Sequence, residues 1–211
     1  MAKEYSVWDK LANKYDSLWV QKYSLAPTRR KVMEILSSLP ENLQMLLLDL
    51  GCGTGQLLCE LKNKYNRAKL FGADKSSEMI RMAQEKKIGA KLLCINIDRD
   101  ELPKEINENK VDVIICCHSF PYYKDKQLVL TKLFNALKTD GILIFVQASI
   151  NNIYDKLIHS AVIRTAEPGE YLSVKAFRKL VSPEFTIKQK FKIKERFFMP
   201  SICGFVLEKS L

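Results

Sequence analysis

Residues 46–58 read Leu46-Leu47-Leu48-Asp49-Leu50-Gly51-Cys52-Gly53-Thr54-Gly55-Gln56-Leu57-Leu58. An apolar run ends at an acidic residue, breaks into three glycines at alternate positions, and resumes as an apolar helix start. The pattern predicts a buried strand feeding a tight turn into a helix, where a nucleotide-like ligand lies on bare backbone. Glycine suits such a turn because a Cβ blocks close approach and because the turn calls for φ > 0. The spacing discriminates between nucleotide-binding turns. Dinucleotide folds and kinase loops use G-x-G-x-x-G, and P-loops end in G-K-[ST]. Here Gly51, Gly53 and Gly55 form G-x-G-x-G, with Gln56 where the dinucleotide pattern has Gly. From the turn alone, another Rossmann-like nucleotide binder stays open.

Outward from this turn the chain alternates. Strand 45–50 leads to helix 55–65, and strand 68–73 to helix 76–87 with Ser76 as N-cap. Strand 91–96 follows, then strand 111–117, helix 126–138 and strand 142–148. This alternation predicts right-handed crossovers and a parallel sheet covered on both faces. The last third changes character, with helices at about 152–165 and 173–181 and strands near 186–195 and 202–208, joined around Pro200. Ahead of the sheet, Val7, Trp8, Leu11, Ala12, Tyr15, Leu18 and Trp19 have helical spacing, and a second helix runs from Pro27 to about Leu39, closed by Pro40. The expected organisation is a single domain over 1–211, with a helical cap over 1–40 and an α/β core over 41–211.

Composition sets the class. With 211 residues, 47% hydrophobic and 27% charged, the chain can bury a full α/β core. No apolar run is long enough to span a bilayer, and Met1-Ala2-Lys3-Glu4-Tyr5 lacks the apolar stretch of a signal peptide, so a cytoplasmic location without membrane contact is expected. The six cysteines are scattered without a C-x-x-C pair. Cys116 and Cys117 are adjacent in a strand and point to opposite faces, so no metal site is expected. The net charge of +10 raises nucleic acid as a partner. Its distribution weakens that reading: Lys188, Lys190, Lys192 and Lys194 coat one face of a strand, a guard against edge association. Arg29-Arg30-Lys31 opens a helix, and neither stretch interleaves aromatics for base stacking.

Asp74 ends the strand next to the glycine turn, 74 − 55 = 19 residues beyond Gly55. A carboxylate there accepts hydrogen bonds from both hydroxyls of a ribose. The alternative is a carboxylate at a helix N-terminus ahead of Ser76.

On five elements in order the chain resembles the class I S-adenosylmethionine-dependent methyltransferases. The glycine turn resembles their motif I, and Asp98-Arg99-Asp100-Glu101-Leu102-Pro103 their D-x-x-x-L-P element. Leu137-Lys138-Thr139-Asp140-Gly141 resembles their L-k-p-G-G turn, with Asp140 replacing one glycine. Trp8-Asp9-Lys10-Leu11-Ala12-Asn13-Lys14-Tyr15-Asp16 resembles the W-D-x-x-A-x-x-Y-D helix of the small-molecule members, and Asp74 takes the ribose position. The resemblance implies a Rossmann-like, mostly parallel seven-stranded sheet with helices on both faces and a final antiparallel strand. It implies S-adenosylmethionine as cofactor and S-adenosylhomocysteine as product. The implied cofactor residues are Asp49, Gly51, Cys52, Gly53, Gly55, Asp74 and Lys75. Tyr15 would cover the cofactor and bond its carboxylate, Asp98 and the Arg99 backbone would meet the adenine, and Cys116 would lie beside the methionine end.

The acceptor implied is a small molecule presenting N, O or S. His118, just past the fourth strand, is the candidate base or orienting group, with His159 second. Tyr122 and Tyr123 are candidates to stack on the acceptor. Ser119-Phe120-Pro121-Tyr122 departs from the [DNS]-P-P-[YFW] signature of adenine N-methyltransferases, and Ile115 rather than proline precedes Cys116. A nucleic-acid methyltransferase and a catalytically silent cofactor-binding scaffold remain the alternatives, and the oligomeric state is open.

Overall fold

The run Leu46–Leu50 (β1) is buried along its whole length, as a strand covered on both faces must be. In this computed structural model, which describes residues 6–162, 167–195 and 201–210, β1 lies near the middle of a seven-stranded sheet. The other strands are β2 (Lys69–Asp74), β3 (Lys91–Cys94), β4 (Val111–Cys117), β5 (Leu137–Ala148), β6 (Phe185–Ile193) and β7 (Ile202–Lys209). Their order is β3-β2-β1-β4-β5-β7-β6, parallel through the first five. β7 is antiparallel to both β5 and β6. The Rossmann-like mixed sheet implied by the sequence is therefore the one observed.

Helices cover both faces. Alternate residues of β1 divide the core: Leu48 and Leu50 pack with α5 (Lys104–Asn109), α6 (Lys126–Ala136) and α8 (Val174–Val181), and Leu47 packs with α2 (Ala26–Leu36), α3 (Gln56–Lys64) and α4 (Ser77–Glu85). Helix α7 spans Ile153–Val162. The remaining helix, α1 (Val7–Tyr15), carries a capping box between Ser6 and Asp9 and docks on the start of α4. There Ser76 Oγ donates to Asp9 Oδ1 at 2.6 Å. At its other end Thr54 Oγ1 donates to Asp16 Oδ1 at 2.5 Å. The two aspartates of the W-D…Y-D segment thus clamp α1 across the glycine turn.

Several boundaries differ from the sequence expectation. The first helix stops at Tyr15, and a π-helical turn at Gln21–Leu25 precedes α2. Pro27 has no N–H and its ring crowds the preceding turn, so the helix widens there, with Ala26 N–H reaching Gln21 O. Strand 91–96 is shortened to Lys91–Cys94. The helix expected to 138 ends at Ala136, and Leu137–Gly141, read as a turn, already belongs to β5 because Leu137 pairs with Val111. Helix α5 has no counterpart in the sequence reading. Strand β6 is the exposed edge that its lysines suggested, with a register shift between Ile187 and Gln189. Pro200 and the side chain of His159 lie outside the described residues.

Candidate functional site

Three strands end at one place. Leu50 of β1, Asp74 of β2 and Cys117 of β4 meet where the strand order reverses, the position at which open α/β sheets bind ligands. Gly51 (φ 77°), Gly53 (φ 52°) and Gly55 (φ 77°) all adopt left-handed conformations. Ala73 O accepts from Gly51 N at 2.7 Å and Cys52 N at 3.1 Å, which folds the turn back over β2. Asp74 then holds it: Oδ2 accepts from Gly53 N and Oδ1 from Ser76 N, each at 2.9 Å. Burial outweighs these bonds and raises the Asp74 pKa above its ordinary value.

Two cavities flank the turn. The larger, about 650 Å³, lies over Gly51, Gly53, Asp74 and Asn96, with Trp8, Tyr15 and Tyr122 forming an aromatic wall. Trp8 meets Tyr122 edge-on at 5.0 Å and Tyr15 at 6.4 Å. The smaller, about 450 Å³, lies on the other side of Gly51–Gly53 and is walled by Asp49, Gln21, Arg29 and Gln56. Tyr15, Cys117 and His118 reach both. Asp49 is 3% exposed, and burial, with the charge of Asp74, pushes its pKa up to about 7. Arg29 donates to Glu60 Oε1 at 2.7 Å and to Gln21 Oε1 at 3.1 Å. Gln56 Oε1 is buried with no hydrogen-bond partner among the described residues.

His118 sits at φ 59°, unusual for a residue with a side chain. Its N–H donates to Val146 O at 2.7 Å, and Nε2 hydrogen bonds with Thr28 Oγ1 at 2.8 Å. Burial lowers its pKa to about 4, so the imidazole is neutral. Burial also raises the pKa values of Tyr15 and Tyr122, keeping both phenols protonated.

A family model described as a methyltransferase domain matches residues 42–193. The chain belongs to the class I S-adenosylmethionine-dependent methyltransferases. Among relatives, YqeM of Bacillus subtilis is 34% identical over 143 residues, covering 66% of this chain and 54% of YqeM. Malonyl-[acyl-carrier protein] O-methyltransferase of Bacillus anthracis is 33% identical over 106 residues, covering 49% of this chain and 38% of that enzyme. The match thus spans about half, or less, of these relatives' length. A chain from the complex between the Haloferax volcanii Trm112 activator and its methyltransferase superposes with a TM-score of 0.77 at 17% identity, covering 98% of this chain and 100% of that one. Magnesium protoporphyrin IX methyltransferase of Synechocystis PCC 6803, with S-adenosylhomocysteine bound, superposes at 0.67 with 16% identity, covering 96% of this chain and 99% of its own.

In this methyltransferase the structure brings together Tyr15, Gly51, Gly53, Asp74, Lys75, His118 and Tyr122 on the larger cavity. It places Asp49 and Cys52 on the smaller one. Four expected residues stand off both walls. Gly55 caps α3, where an added Cβ would lie 2.7 Å from Ile88 Cδ1. Cys116 faces the core, with Sγ 3.3 Å from Ser119 Oγ, and strand alternation gives the wall to Cys117 instead. Asp98 Oδ1 accepts from the Lys124 and Asp125 N–H groups at 2.8 and 3.2 Å, which pins the loop after β4. Arg99 is exposed. The wall beyond β3 is formed by Ile95, Asn96 and Ile97. Arg29 and Glu167, which also engage the site, carried no local signal: Arg29 read as one of a basic cluster, and Glu167 is remote in sequence. Among the described residues no group of three or more His, Cys, Asp or Glu is placed to hold a metal ion, and no helix is long and apolar enough to cross a membrane.

Proposed function

We propose that this methyltransferase transfers the methyl group of S-adenosylmethionine to a small-molecule acceptor inside the larger cavity. The observation that carries the reading is the pairing of a left-handed glycine turn with the half-buried Asp74 carboxylate beneath an aromatic wall. The residues fit the cofactor. Asp74 offers acceptors for two ribose hydroxyls, Gly51 and Gly53 leave room for close approach, and Asn96 and Ile97 supply a polar and an apolar contact for a planar base. Asp49 and Arg29 in the smaller cavity offer a hydrogen-bond acceptor for an ammonium and a donor for a carboxylate, the two groups of an amino-acid tail.

When bound, S-adenosylmethionine supplies a methyl carbon already activated by its sulfonium. What remains for the protein is alignment and exclusion of water. Trp8, Tyr15 and Tyr122 shield the cavity, and the neutral His118, oriented by Thr28, serves to position the acceptor by hydrogen bonding. An imidazole with a pKa of about 4 is a weak base at neutral pH, so the acceptors best suited arrive with a free lone pair.

Charge placement supports a small acceptor over nucleic acid. The exposed Lys188, Lys190 and Lys192 lie on β6 and Lys194 just after it, four strands from β1 and the glycine turn. The test is a thermal shift with S-adenosylmethionine, S-adenosylhomocysteine, NAD and ATP, each at about a hundredfold over its dissociation constant. Binding then stabilises by about 2.7 kcal/mol, which appears as a higher melting temperature. A shift with the two adenosyl sulfur compounds alone is expected, followed by an acceptor screen that counts transferred methyl groups. A shift with NAD or ATP alone overturns the reading.

A further inference from the structure

Within residues 167–172, Glu167 and Tyr171 bond to residues that line the larger cavity, and the Glu167 contact is a charged clasp. Glu167 Oε2 accepts from Trp8 Nε1 at 2.6 Å. Lys75 Nζ donates to the same carboxylate, at 2.7 Å to Oε2 and 2.9 Å to Oε1. Trp8 and Lys75 both line the cavity but come from different walls: Trp8 from α1, Lys75 from the residue after β2. Further along, Glu170 N donates to Pro121 O at 2.8 Å, and the hydroxyls of Tyr171 and Tyr122 meet at 2.8 Å. Gly169 lies so close to Tyr122 that an added Cβ would sit 3.0 Å from its ring.

The other polar clamps of α1 are of a different kind. Asp9 bonds Ser76 and Asp16 bonds Thr54, and none of these four lines the larger cavity. Among the described polar ties of α1, the Glu167 clasp alone has both partners on that wall. It is also half-exposed, at 30% for Glu167 and 29% for Lys75, so water and salt reach it. Its bonds are charge-assisted, yet their exposure keeps them weak enough to break and reform.

We propose that Glu167 is a positioning residue that latches the cavity. Its bonds to Trp8 and Lys75 draw the N-terminal helix against the sheet while a ligand is inside, and they open for that ligand to enter or leave. This inference rests on the larger cavity being the cofactor site.

The experiment uses the full chain carrying Trp19→Phe, which leaves Trp8 as the single tryptophan reporter. Release of S-adenosylhomocysteine is followed by stopped-flow fluorescence, in this parent and with Glu167→Gln added. Release about fivefold faster in Glu167→Gln is expected, the size suited to a half-exposed charged tie. Raising salt from about 0.05 to 0.5 M is expected to speed release in the parent and leave Glu167→Gln unchanged. Without ligand, acrylamide is expected to quench Trp8 more strongly in Glu167→Gln. Equal release rates, or equal salt responses, overturn the latch and leave the cofactor reading standing. If the parent binds no S-adenosylhomocysteine, both fall.

Discussion

Asp49 and His118 titrate against each other. Folding raises the Asp49 pKa to about 7 from 3.8, so between those values the folded chain holds a proton that the unfolded chain has released. Stability from this residue is present at low pH and lost as pH rises toward 7, by at most about 1.4 kcal/mol per pH unit. His118 works the other way. Its folded pKa of about 4 lies below the ordinary 6.5, so its contribution is present above 6.5 and lost as pH falls toward 4. Between about pH 4 and 6.5 the two slopes oppose each other. Urea denaturation of Asp49→Asn should therefore show stability rising with pH across that window more steeply than in the parent. His118→Asn should show it falling. A second residue-scale expectation concerns Asp74. Replacing it by Ala removes the acceptor for Gly53 and Ser76 and for a ribose, and cofactor affinity measured by calorimetry should drop by about 1.5–3 kcal/mol. Unchanged affinity in a folded variant would remove Asp74 from the ribose site. The position of Asp74 on the larger cavity was legible because strand, turn and spacing agreed. The position of Asp98 off both cavity walls was not legible, because the two loop amides that hold its Oδ1 leave no local pattern.

At the scale of elements, β2 owes its fit to Gly72. An added Cβ there would lie 2.6 Å from Leu58 Cδ1, 2.9 Å from Leu92 Cδ2 and 3.0 Å from Cys52 Sγ. Gly72→Ala must displace the Leu58 and Leu92 side chains, crowding Cys52, and should destabilise by about 1–3 kcal/mol in urea denaturation. Because Cys52 closes the glycine turn, the same variant should also weaken cofactor binding. The central strands were legible because their apolar runs are long and buried on both faces. Helix α5 escaped because only Ile106 of its six residues is buried, which leaves no periodicity to read. The start of β5 escaped because Lys138-Thr139-Asp140-Gly141 has turn composition, and the pairing of Leu137 with Val111 overrides it. The π-helical turn was half legible: Pro27 marked a helix start, whereas a helical path continues through it.

For the whole molecule, the +10 charge misdirects if taken as a single number. Lys190→Glu, Lys192→Glu and Lys194→Glu combined should leave cofactor affinity within about twofold, because exposed charges more than a Debye length away are screened. A large loss by calorimetry would mean that β6 belongs to the site after all. The sheet and its glycine turn could be read from local pattern, but the enclosure around them could not. Trp8, Arg29, Asn96 and Glu167 are brought together by tertiary packing over long sequence separations. The placement of β7 carries one more consequence, for the history of the molecule rather than its chemistry. β6 is synthesised before the strand that pairs with it, and β7 then enters between β5 and β6. The far edge of the sheet is thus barred from growing in chain order. Phe205 of β7 stacks on Phe177 of α8 with ring centroids 4.5 Å apart, so this part of the core is complete only once the last strand to be made has taken its inner place.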